Sequence, residues 1–314
     1  LNRIGPDFIE NPHPLLHALR REQPVFYNED GSVYLTRHDD CLRVYQSRDM
    51  LSDKREAFGA KFGQCPLLTH HTTSLIFNDP PYHTVVRKLI SGAFTPRKLA
   101  EFEPLIGRIV DRLIDRVAEM GQFDLVEDFA KVLPTEIISF MLGIPEEHRA
   151  RLRGYSVAIL GALDPVVPPE REAEGNRAVE EFGAILNDLI DHRRRNPDGA
   201  SEGEVLEALI FGEHEGRRLT QEELVQNCIF LLNAGHETTT SFVSNAVGTL
   251  LDNPDQHRLL QDQPDLIAPA VEEFLRVESP LQIGNRLAGE DISLPSGAVI
   301  PKGTYIHTSI GGAN

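Results

Sequence analysis

The stretch Ala234-Gly235-His236-Glu237-Thr238-Thr239-Thr240 places small and polar residues in the middle of a segment that is otherwise strongly apolar. Apolar residues recur there at three- and four-residue steps from Leu224 to Leu250, a spacing that is typical of a helix with one face in a protein core. Thr220 and Glu223 match a capping box before this segment, and Asn253-Pro254 is a stop signal after it. The sequence therefore predicts one helix over Gln221–Asp252, about 48 Å long at about 1.5 Å per residue.

Three residues of this stretch indicate that the predicted helix carries a functional site. Their spacing from the apolar residues places the Thr238 hydroxyl on the inward face, with Glu237 one step round the helix. Burying a carboxylate there is costly unless partners satisfy it, and Gly235 leaves a groove at a cost of about 1 kcal/mol of helix stability. We interpret the stretch as a site, and a kinked helix with a satisfied polar patch is the alternative.

Composition describes an ordinary globular protein. The chain has 314 residues, of which 40% are hydrophobic and 25% charged, and its formal net charge is −17. This acidity argues against binding to nucleic acid or to an anionic membrane. The three cysteines are far apart and odd in number, so neither a disulfide framework nor a CxxC metal site is supported, and no metal ligand is assigned. With no long apolar run and no visible signal peptide, we expect a cytoplasmic protein without a membrane segment.

The pattern predicts a mainly α fold, a single large helical domain over residues 1–314 with small β-sheets. Strands are predicted at 24–27 and 32–36, which flank a hairpin turn, and at 291–294, 298–300 and 304–307. Further helices are predicted at 105–120, 127–142, 178–195 and 266–277. The glycine-rich, polar stretch 58–73 reads as a long loop, and 163–169 as an irregular segment.

Other local motifs are weak when taken singly. His236-Glu237 begins like a zinc-protease helix, but Thr240 stands where the second histidine should be. His83 and Arg87 share a helix face after Asn78-Asp79-Pro80-Pro81, and Glu273 and Arg276 share another. For each pair, a surface contact worth less than about 1 kcal/mol is the alternative.

The order of these motifs along the chain resembles that of the cytochrome P450 family in its soluble bacterial form. The matching segments are Asn78-Asp79-Pro80-Pro81-Tyr82-His83-Thr84-Val85-Val86-Arg87, Ala93-Phe94-Thr95-Pro96-Arg97, Ala234-Gly235-His236-Glu237-Thr238-Thr239, Glu272-Glu273-Phe274-Leu275-Arg276 and Asn285-Arg286. The resemblance covers essentially the whole chain. It implies a haem-thiolate monooxygenase that inserts one oxygen atom of O2 into an apolar organic substrate and reduces the other to water.

The resemblance also implies cofactors, partners and residue roles. The cofactors are heme b, O2 and, indirectly, NAD(P)H, whose electrons arrive through a ferredoxin or a flavin reductase system. Thr238 and Glu237 are expected to deliver protons, with His236 assisting Glu237. The expected haem-binding residues are Ala234, Gly235, His83, Arg87 and Arg286, of which the last three neutralise propionates. Glu273 and Arg276 are expected to form a buried structural pair, and segments 58–78 and 280–284 to line the substrate pocket.

One part of the family pattern has no counterpart. Members carry the cysteine that binds haem iron well after the Glu-x-x-Arg helix, whereas this chain stops at Asn314. We therefore expect a C-terminally incomplete chain whose thiolate ligand lies beyond Asn314 and which is inactive alone. Two other functions stay open: a non-catalytic haem-pocket relative acting as a small-molecule binding protein, and a helical hydrolase or lyase with Glu237 as its base.

Overall fold

The computed structural model describes Phe8 and residues 11–163, 167–197 and 205–314. The α-helices are α1 (His13–Glu22), α2 (His38–Gln46), α3 (Arg55–Phe62), α4 (Pro66–Thr73), α5 (Tyr82–Ala93), α6 (Pro96–Met120), α7 (Val132–Met141), α8 (Glu146–Gly161), α9 (Pro169–Arg195), α10 (Leu206–Phe211), α11 (Gln221–Asp252), α12 (Pro254–Asp262), α13 (Ile267–Val277) and α14 (Ile310–Ala313). A π-helix spans Leu125–Ala130, and 3-10 helices span Leu75–Phe77 and Pro264–Leu266. The strands are β1 (Val25–Tyr27), β2 (Val33–Leu35), β3 (Met50–Leu51), β4 (Ile283–Ala288), β5 (Ile292–Ser293), β6 (Val299–Ile300) and β7 (Tyr305–Ser309).

This architecture confirms the prediction of a mainly α fold with small β-sheets. The contacts within the chain divide it into two compact units. One unit joins the described residues up to Ser52 with Phe242–Asn314, and the other is Asp53–Ser241. The prediction of a single domain over the whole chain stays a prediction.

The Asp53–Ser241 unit is built from helices around one apolar core. Phe182 and Leu186 of α9 are fully buried, as are Leu224 and Cys228 near the start of α11. The Phe182 ring stacks on Tyr155 of α8 with ring centroids 5.6 Å apart. The central helix is therefore anchored in this core by its first half, which precedes the small and polar stretch.

The other unit contains both sheets. The larger sheet has five strands in the order β1-β2-β7-β4-β3, with β2 parallel to β7 and the other neighbours antiparallel. The predicted hairpin near the N-terminus is confirmed, with Val25 opposite Leu35. The predicted hairpin near the C-terminus is the separate β5–β6 pair. Strands β3 and β4 were not predicted, because their pairing joins parts of the chain that are far apart in sequence.

The predicted loop at 58–73 is wrong, because this part of the chain forms α3 and α4. Pro66 opens α4 at its first turn, and Gly63 separates the two helices with a φ of +64°, which favours glycine. Aromatic side chains supply the missing apolar face, since Phe58 and Phe62 of α3 are buried against His71 of α4. The glycine and polar content of this stretch therefore concealed helices that are stabilised by ring packing.

Three other predicted helices differ from the structure at their first residues. The helix predicted from residue 105 begins at Pro96, where Thr95 caps α6 by accepting from the Lys98 N–H at 3.3 Å. The helix predicted from residue 127 is a π-helix followed by α7, and the one predicted from residue 178 is α9, which begins at Pro169. Within the irregular segment predicted at 163–169, residues 164–166 lie outside the described residues.

The central helix α11 has the predicted bounds, and its capping box is present. Glu223 N donates to Thr220 Oγ1 at 3.2 Å, and Thr220 N donates to Glu223 Oε2 at 2.9 Å. The buried Glu223 carboxylate also accepts from Arg217 Nη2 at 2.5 Å. Burial is the main cause that raises the pKa of the Tyr82 hydroxyl, and the negative charge of the nearby Glu223 raises it further. One carboxylate therefore fixes the start of the helix and joins it to the preceding loop.

We expect Glu223→Gln to lower the free energy of unfolding by about 2 kcal/mol, because a neutral amide loses the charge-assisted bond from Arg217 and one acceptor for the cap. The measurement is urea unfolding followed by circular dichroism. Glu222→Gln is the matched control, because Glu222 is the exposed neighbour, and we expect it to change stability by less than about 0.5 kcal/mol. Equal effects of the two variants would contradict this assignment.

Candidate active site

The middle of α11 presents an exposed strip on one side of a helix that is otherwise largely buried or half-buried. Ala234, Glu237 and Thr238 are exposed, and their spacing of three and four residues places them on one helix face. Thr238 Oγ1 donates to Ala234 O at 2.9 Å. The prediction that the Thr238 hydroxyl faces inward is wrong, because the helix buries the neighbouring face instead. The hydroxyl and the carboxylate are both accessible from this strip.

Gly235 does not leave the predicted open groove. A Cβ atom at this position would lie 2.7 Å from Cδ1 and 3.3 Å from Cγ1 of Ile138 on α7. The missing side chain therefore lets two helices approach closely, and the Ile138 side chain occupies the space. The prediction of a groove is wrong, while the role of Gly235 beside a cofactor stays a prediction.

His236 lies on the buried side of α11, away from the exposed strip. Its side chain is 2% exposed, and neither ring nitrogen has a hydrogen-bond partner among the described residues. Burial lowers the pKa of His236, and the positive charges of Arg153 and Lys131 lower it further. The imidazole is therefore neutral at pH 7. This placement separates His236 from the exposed Glu237, so the expected cooperation of the two in moving protons has no support in the structure.

Helix α5 carries His83 and Arg87 on one face, as their spacing predicts. The opposite face of the helix packs into the core through Val86 and Leu89. His83 is half-buried, whereas Arg87 is exposed and, within the described ranges, has no ion-pair or hydrogen-bond partner. The Arg87 guanidinium is thus available to an anionic group with two acceptor oxygens, which is the geometry that arginine binds well.

The β-sheet unit places Arg286 on β4. Its guanidinium carbon lies 4.9 Å from the centroid of the Tyr45 ring, and Nη1 donates to Asn285 O at 2.7 Å. Tyr45 is itself fixed by a 2.7 Å hydrogen bond between its hydroxyl and Thr308 Oγ1. Arg286 has no carboxylate partner in the part of the chain that the structure describes. Its charge is held in one orientation and left uncompensated, which suits an anion.

Glu273 and Arg276 form the predicted pair on α13, with two parallel hydrogen bonds. Arg276 Nε donates to Glu273 Oε2 at 2.8 Å, and Nη2 donates to Oε1 at 2.7 Å. The hydrogen bond from Arg276 lowers the pKa of Glu273. The two side chains are 58% and 53% exposed, and α13 buries none of its residues. The prediction that this pair is buried is therefore wrong for the described chain, because the helix lies at the surface.

We expect the Arg276→Ala and Arg258→Ala variants of this 314-residue chain to have the same thermal unfolding midpoint. Arg258 is the matched control, because it forms a pair with Asp255 at the same three-residue spacing that is still more exposed, at 71% and 91%. Exposed pairs of this kind contribute little to stability. The measurement is thermal unfolding of both variants. Loss of folded protein with Arg276→Ala alone would show that the pair is buried, as the family resemblance implies.

Sequence reasoning missed Tyr45 and Thr308, which fix Arg286 from outside its own segment. A tyrosine on α2 gives no sequence signal of contact with strands so distant along the chain. It also missed His70 on α4, which is buried against α11. The doublet His70-His71 was the available signal, but it fell in the stretch interpreted as a loop.

Comparison with known proteins places this arrangement in a family. The description of the cytochrome P450 family matches residues 11–314. The vitamin D(3) 25-hydroxylase of Pseudonocardia autotrophica is 36% identical over 312 residues, which cover 98% of this chain and 74% of that protein. The nocardicin C N-oxygenase of Nocardia uniformis subsp. tsuyamanensis is 38% identical over 316 residues, covering 96% and 75%.

Solved structures agree with the sequence relatives. The crystal structure of P450BioI in complex with hexadec-9Z-enoic acid ligated acyl carrier protein matches with a TM-score of 0.89 and 31% identity, covering 98% of this chain and 78% of that one. The CalO2 crystal structure also gives a TM-score of 0.89, at 28% identity, and covers 98% and 77%. These similarities define a haem monooxygenase fold.

The chain belongs to the cytochrome P450 family. It is accordingly an oxidoreductase that uses haem iron and O2, acts on a small molecule and receives electrons from a redox partner. The relatives favour this function over the non-catalytic binding protein that the sequence left open. None of the helices in the described ranges has both the length and the apolar character needed to cross a membrane.

The residues present fit a haem group. In the helical unit, the uncompensated guanidinium of Arg87 suits a propionate carboxylate. In the sheet unit, taken by itself, the uncompensated guanidinium of Arg286 also suits a carboxylate. Ala234 and Thr238 give the exposed strip of α11 small side chains, against which a flat macrocycle can lie. Burial raises the pKa of the Cys41 and Cys228 thiols to about 12, so neither offers a thiolate to iron.

Proposed function

We propose that this protein inserts one oxygen atom of O2 into an apolar organic substrate, with Thr238 and Glu237 delivering the protons. The reaction converts RH, O2, NAD(P)H and one H⁺ into ROH, water and NAD(P)⁺, so it consumes two electrons and two protons in total. Haem supplies the activation of O2 when it is bound. The exposed strip of α11, which carries a hydroxyl beside a carboxylate, is the observation that supports this assignment.

The two residues have different tasks in this proposal. The Thr238 hydroxyl donates to Ala234 O, so both of its oxygen lone pairs remain able to accept a proton or a water hydrogen bond. Glu237 is exposed, so solvent can reach this residue. A proton can therefore pass from solvent to Glu237 and on to the Thr238 hydroxyl, either directly or through one water.

The cofactor assignment rests on charge and on family membership. We assign Arg87, His83 and Arg286 to the haem propionates, and Ala234 and Gly235 to the neighbourhood of the macrocycle. Heme b is the proposed form, with a thiolate ligand that Cys41 and Cys228 do not provide. A ferredoxin or a flavin reductase is the proposed electron donor, with NAD(P)H as the source, and the cytoplasm is the proposed location.

An apolar substrate is the class that family membership suggests. In the segment predicted to line the pocket, Phe58 and Phe62 are buried against His71, so their rings do not themselves supply the lining. The names of the relatives refer to different molecules, namely vitamin D(3), nocardicin C and an acyl carrier protein bearing hexadec-9Z-enoic acid. We therefore propose the class of substrate and not one compound. Segment 280–284 is proposed as a second part of the pocket lining.

Two measurements on the haem-loaded enzyme test this function. The first is the spectrum of the reduced protein with carbon monoxide, which we expect to be of the thiolate type and not of the histidine type. The second is product formation under ¹⁸O2, for which we expect one labelled oxygen atom per product molecule. Product oxygen derived from water, or a histidine-type spectrum, would refute the proposed reaction.

A further inference from the structure

Helix α1 carries two histidines one turn apart on a solvent-accessible face. His13 and His17 form the one His-x-x-x-His pair in the sequence, and this spacing brings their side chains together. The ring centroids lie 6.1 Å apart. His17 is exposed and the His13 side chain is 42% exposed, so a solute can reach both rings. Two histidines at this spacing on one helix face are the zinc ligands of metalloprotease helices.

A carboxylate from another element lies beside the same pair. Glu278 directly follows α13, and its Oε1 atom lies 3.9 Å from His13 Nε2. Helix α1 and Glu278 belong to the same compact unit, the one that joins the described residues up to Ser52 with Phe242–Asn314. The Glu278 carboxylate supplies negative charge and an oxygen ligand, both of which favour a divalent cation next to the imidazoles.

The distances between these groups are close to those that zinc requires. In a tetrahedral site with Zn–N bonds of about 2.0–2.1 Å, ligand atoms are about 3.3 Å apart and imidazole centroids about 5 Å apart. The separations in the structure exceed these values by about 1 Å or less, which rotation of accessible side chains can remove. Among the described residues, no three ligating side chains already stand together as a metal site. Binding must therefore draw the three side chains together, and water must supply the fourth ligand.

The surroundings leave room for a hydrated cation. His13 and Glu278 both line a cavity of about 550 Å³, through which water can reach the remaining coordination position. Arg20 of α1 donates from Nη1 to a backbone carbonyl of α14 at 2.6 Å, which engages its guanidinium there. Arg21 lies one turn beyond His17 and is exposed, so solvent and salt screen its charge.

We propose that His13 and His17 bind one divalent metal ion of the zinc and copper class, with Glu278 as the third protein ligand. Imidazole nitrogen suits these ions, whereas Mg²⁺ and Ca²⁺ prefer oxygen ligands alone. This site is separate from the haem iron and goes beyond the monooxygenase function. Helix α1 buries Leu16 and is otherwise half-buried or exposed. A metal bonded to both sides therefore fastens α1 to the residue that follows α13.

Calorimetric titration of Zn²⁺ into the full 314-residue chain, prepared without a purification tag, tests the histidine pair. We expect His17→Ala to weaken Zn²⁺ binding at least about tenfold, because one of three protein ligands is lost. His257→Ala is the matched control, since it removes an exposed histidine of α12 that has no histidine four residues away. Its affinity should equal that of the unmodified chain. Equal affinities of the two variants would overturn the proposed site.

The same titration tests the carboxylate. We expect Glu278→Gln to weaken Zn²⁺ binding by about tenfold, because the amide oxygen carries no charge. Glu272→Gln is its control, since Glu272 is an exposed carboxylate of α13. An unchanged affinity in Glu278→Gln would remove Glu278 from the ligand set. Electron paramagnetic resonance with Cu²⁺ in place of Zn²⁺ should show two imidazole nitrogens in the unmodified chain and one in His17→Ala. One nitrogen in both would exclude the pair.

Hydrogen exchange with and without Zn²⁺ tests the fastening of α1. We expect Zn²⁺ to slow exchange in residues 13–22 at least about threefold in the unmodified chain, because a ligand stabilises the folded form to which it binds. Exchange in α12 should not change, and Zn²⁺ should have no effect on α1 in His17→Ala. Unchanged exchange in α1 of the unmodified chain would overturn the fastening. None of these measurements uses haem or turnover, so their outcome is independent of the monooxygenase assignment.

Discussion

Thr238→Ala is expected to bind haem and substrate as the unmodified enzyme does, but to form at least about tenfold less product per NAD(P)H consumed. The physical reason is that alanine removes the hydroxyl that accepts and passes on protons from the exposed strip of α11, while its smaller side chain leaves the helix in place. The reducing equivalents should then appear as hydrogen peroxide. Product, NAD(P)H and peroxide are measured in the same reaction.

Thr239→Ala is the matched control for this experiment. Thr239 is half-buried and lies about 100° round the helix from Thr238, so it does not share the exposed strip. The same atoms are deleted in both variants, and helix propensity changes equally. We expect normal coupling of product to NAD(P)H in Thr239→Ala. Normal coupling in Thr238→Ala as well would remove the Thr238 hydroxyl from proton delivery.

Gly284→Ala is expected to lower the free energy of unfolding by about 3 kcal/mol. Gly284 lies opposite Thr308 in the β4–β7 pair, and an added Cβ would collide with the Tyr45 hydroxyl and lie 2.9 Å from Thr308 Oγ1. Tyr45 would have to leave, which breaks its bond to the fully buried Thr308 and removes the ring that lies against Arg286. The measurement is denaturant unfolding.

Gly248→Ala is the control for this substitution, and its effect should have the opposite sign. Gly248 lies within α11, and a Cβ there would meet no atom within 4 Å. Alanine in a helix interior is favoured over glycine by up to about 1 kcal/mol, so this variant should be more stable than the unmodified protein. Absence of any loss of stability in Gly284→Ala would show that Tyr45 moves aside without cost.

Sequence patterns predicted the elements whose signals are local. The central helix has its predicted bounds because Thr220 and Glu223 form a capping box and Asn253-Pro254 ends the helix. The hairpin of β1 and β2 follows from a turn between two apolar runs. The helices at 55–73 were missed because much of their packing is with residues far along the chain in the shared core, and with Phe77 just outside the stretch.

In the candidate site, too, sequence patterns predicted some features and missed others. Residue identities and helix spacing placed His83 with Arg87 and Glu273 with Arg276. Their environments depend on what the rest of the chain covers, and spacing carries no such information. For this reason the exposure of Thr238 and Glu273, the close approach of Ile138 to Gly235, and the support of Arg286 by Tyr45 all differ from the expectations or go beyond them.

The strand order has a consequence for synthesis on the ribosome. The helical unit is one continuous stretch, Asp53–Ser241, so all of its partners exist once Ser241 has been added. Strand β2, in contrast, pairs with β7, whose residues Tyr305–Ser309 are made only after the whole helical unit. The β1–β2 hairpin therefore leaves the ribosome with the β2 edge unpaired, and this edge stays unpaired until β7 has been made. An unpaired edge is open to association with other chains, so this hairpin needs protection until β7 has been made.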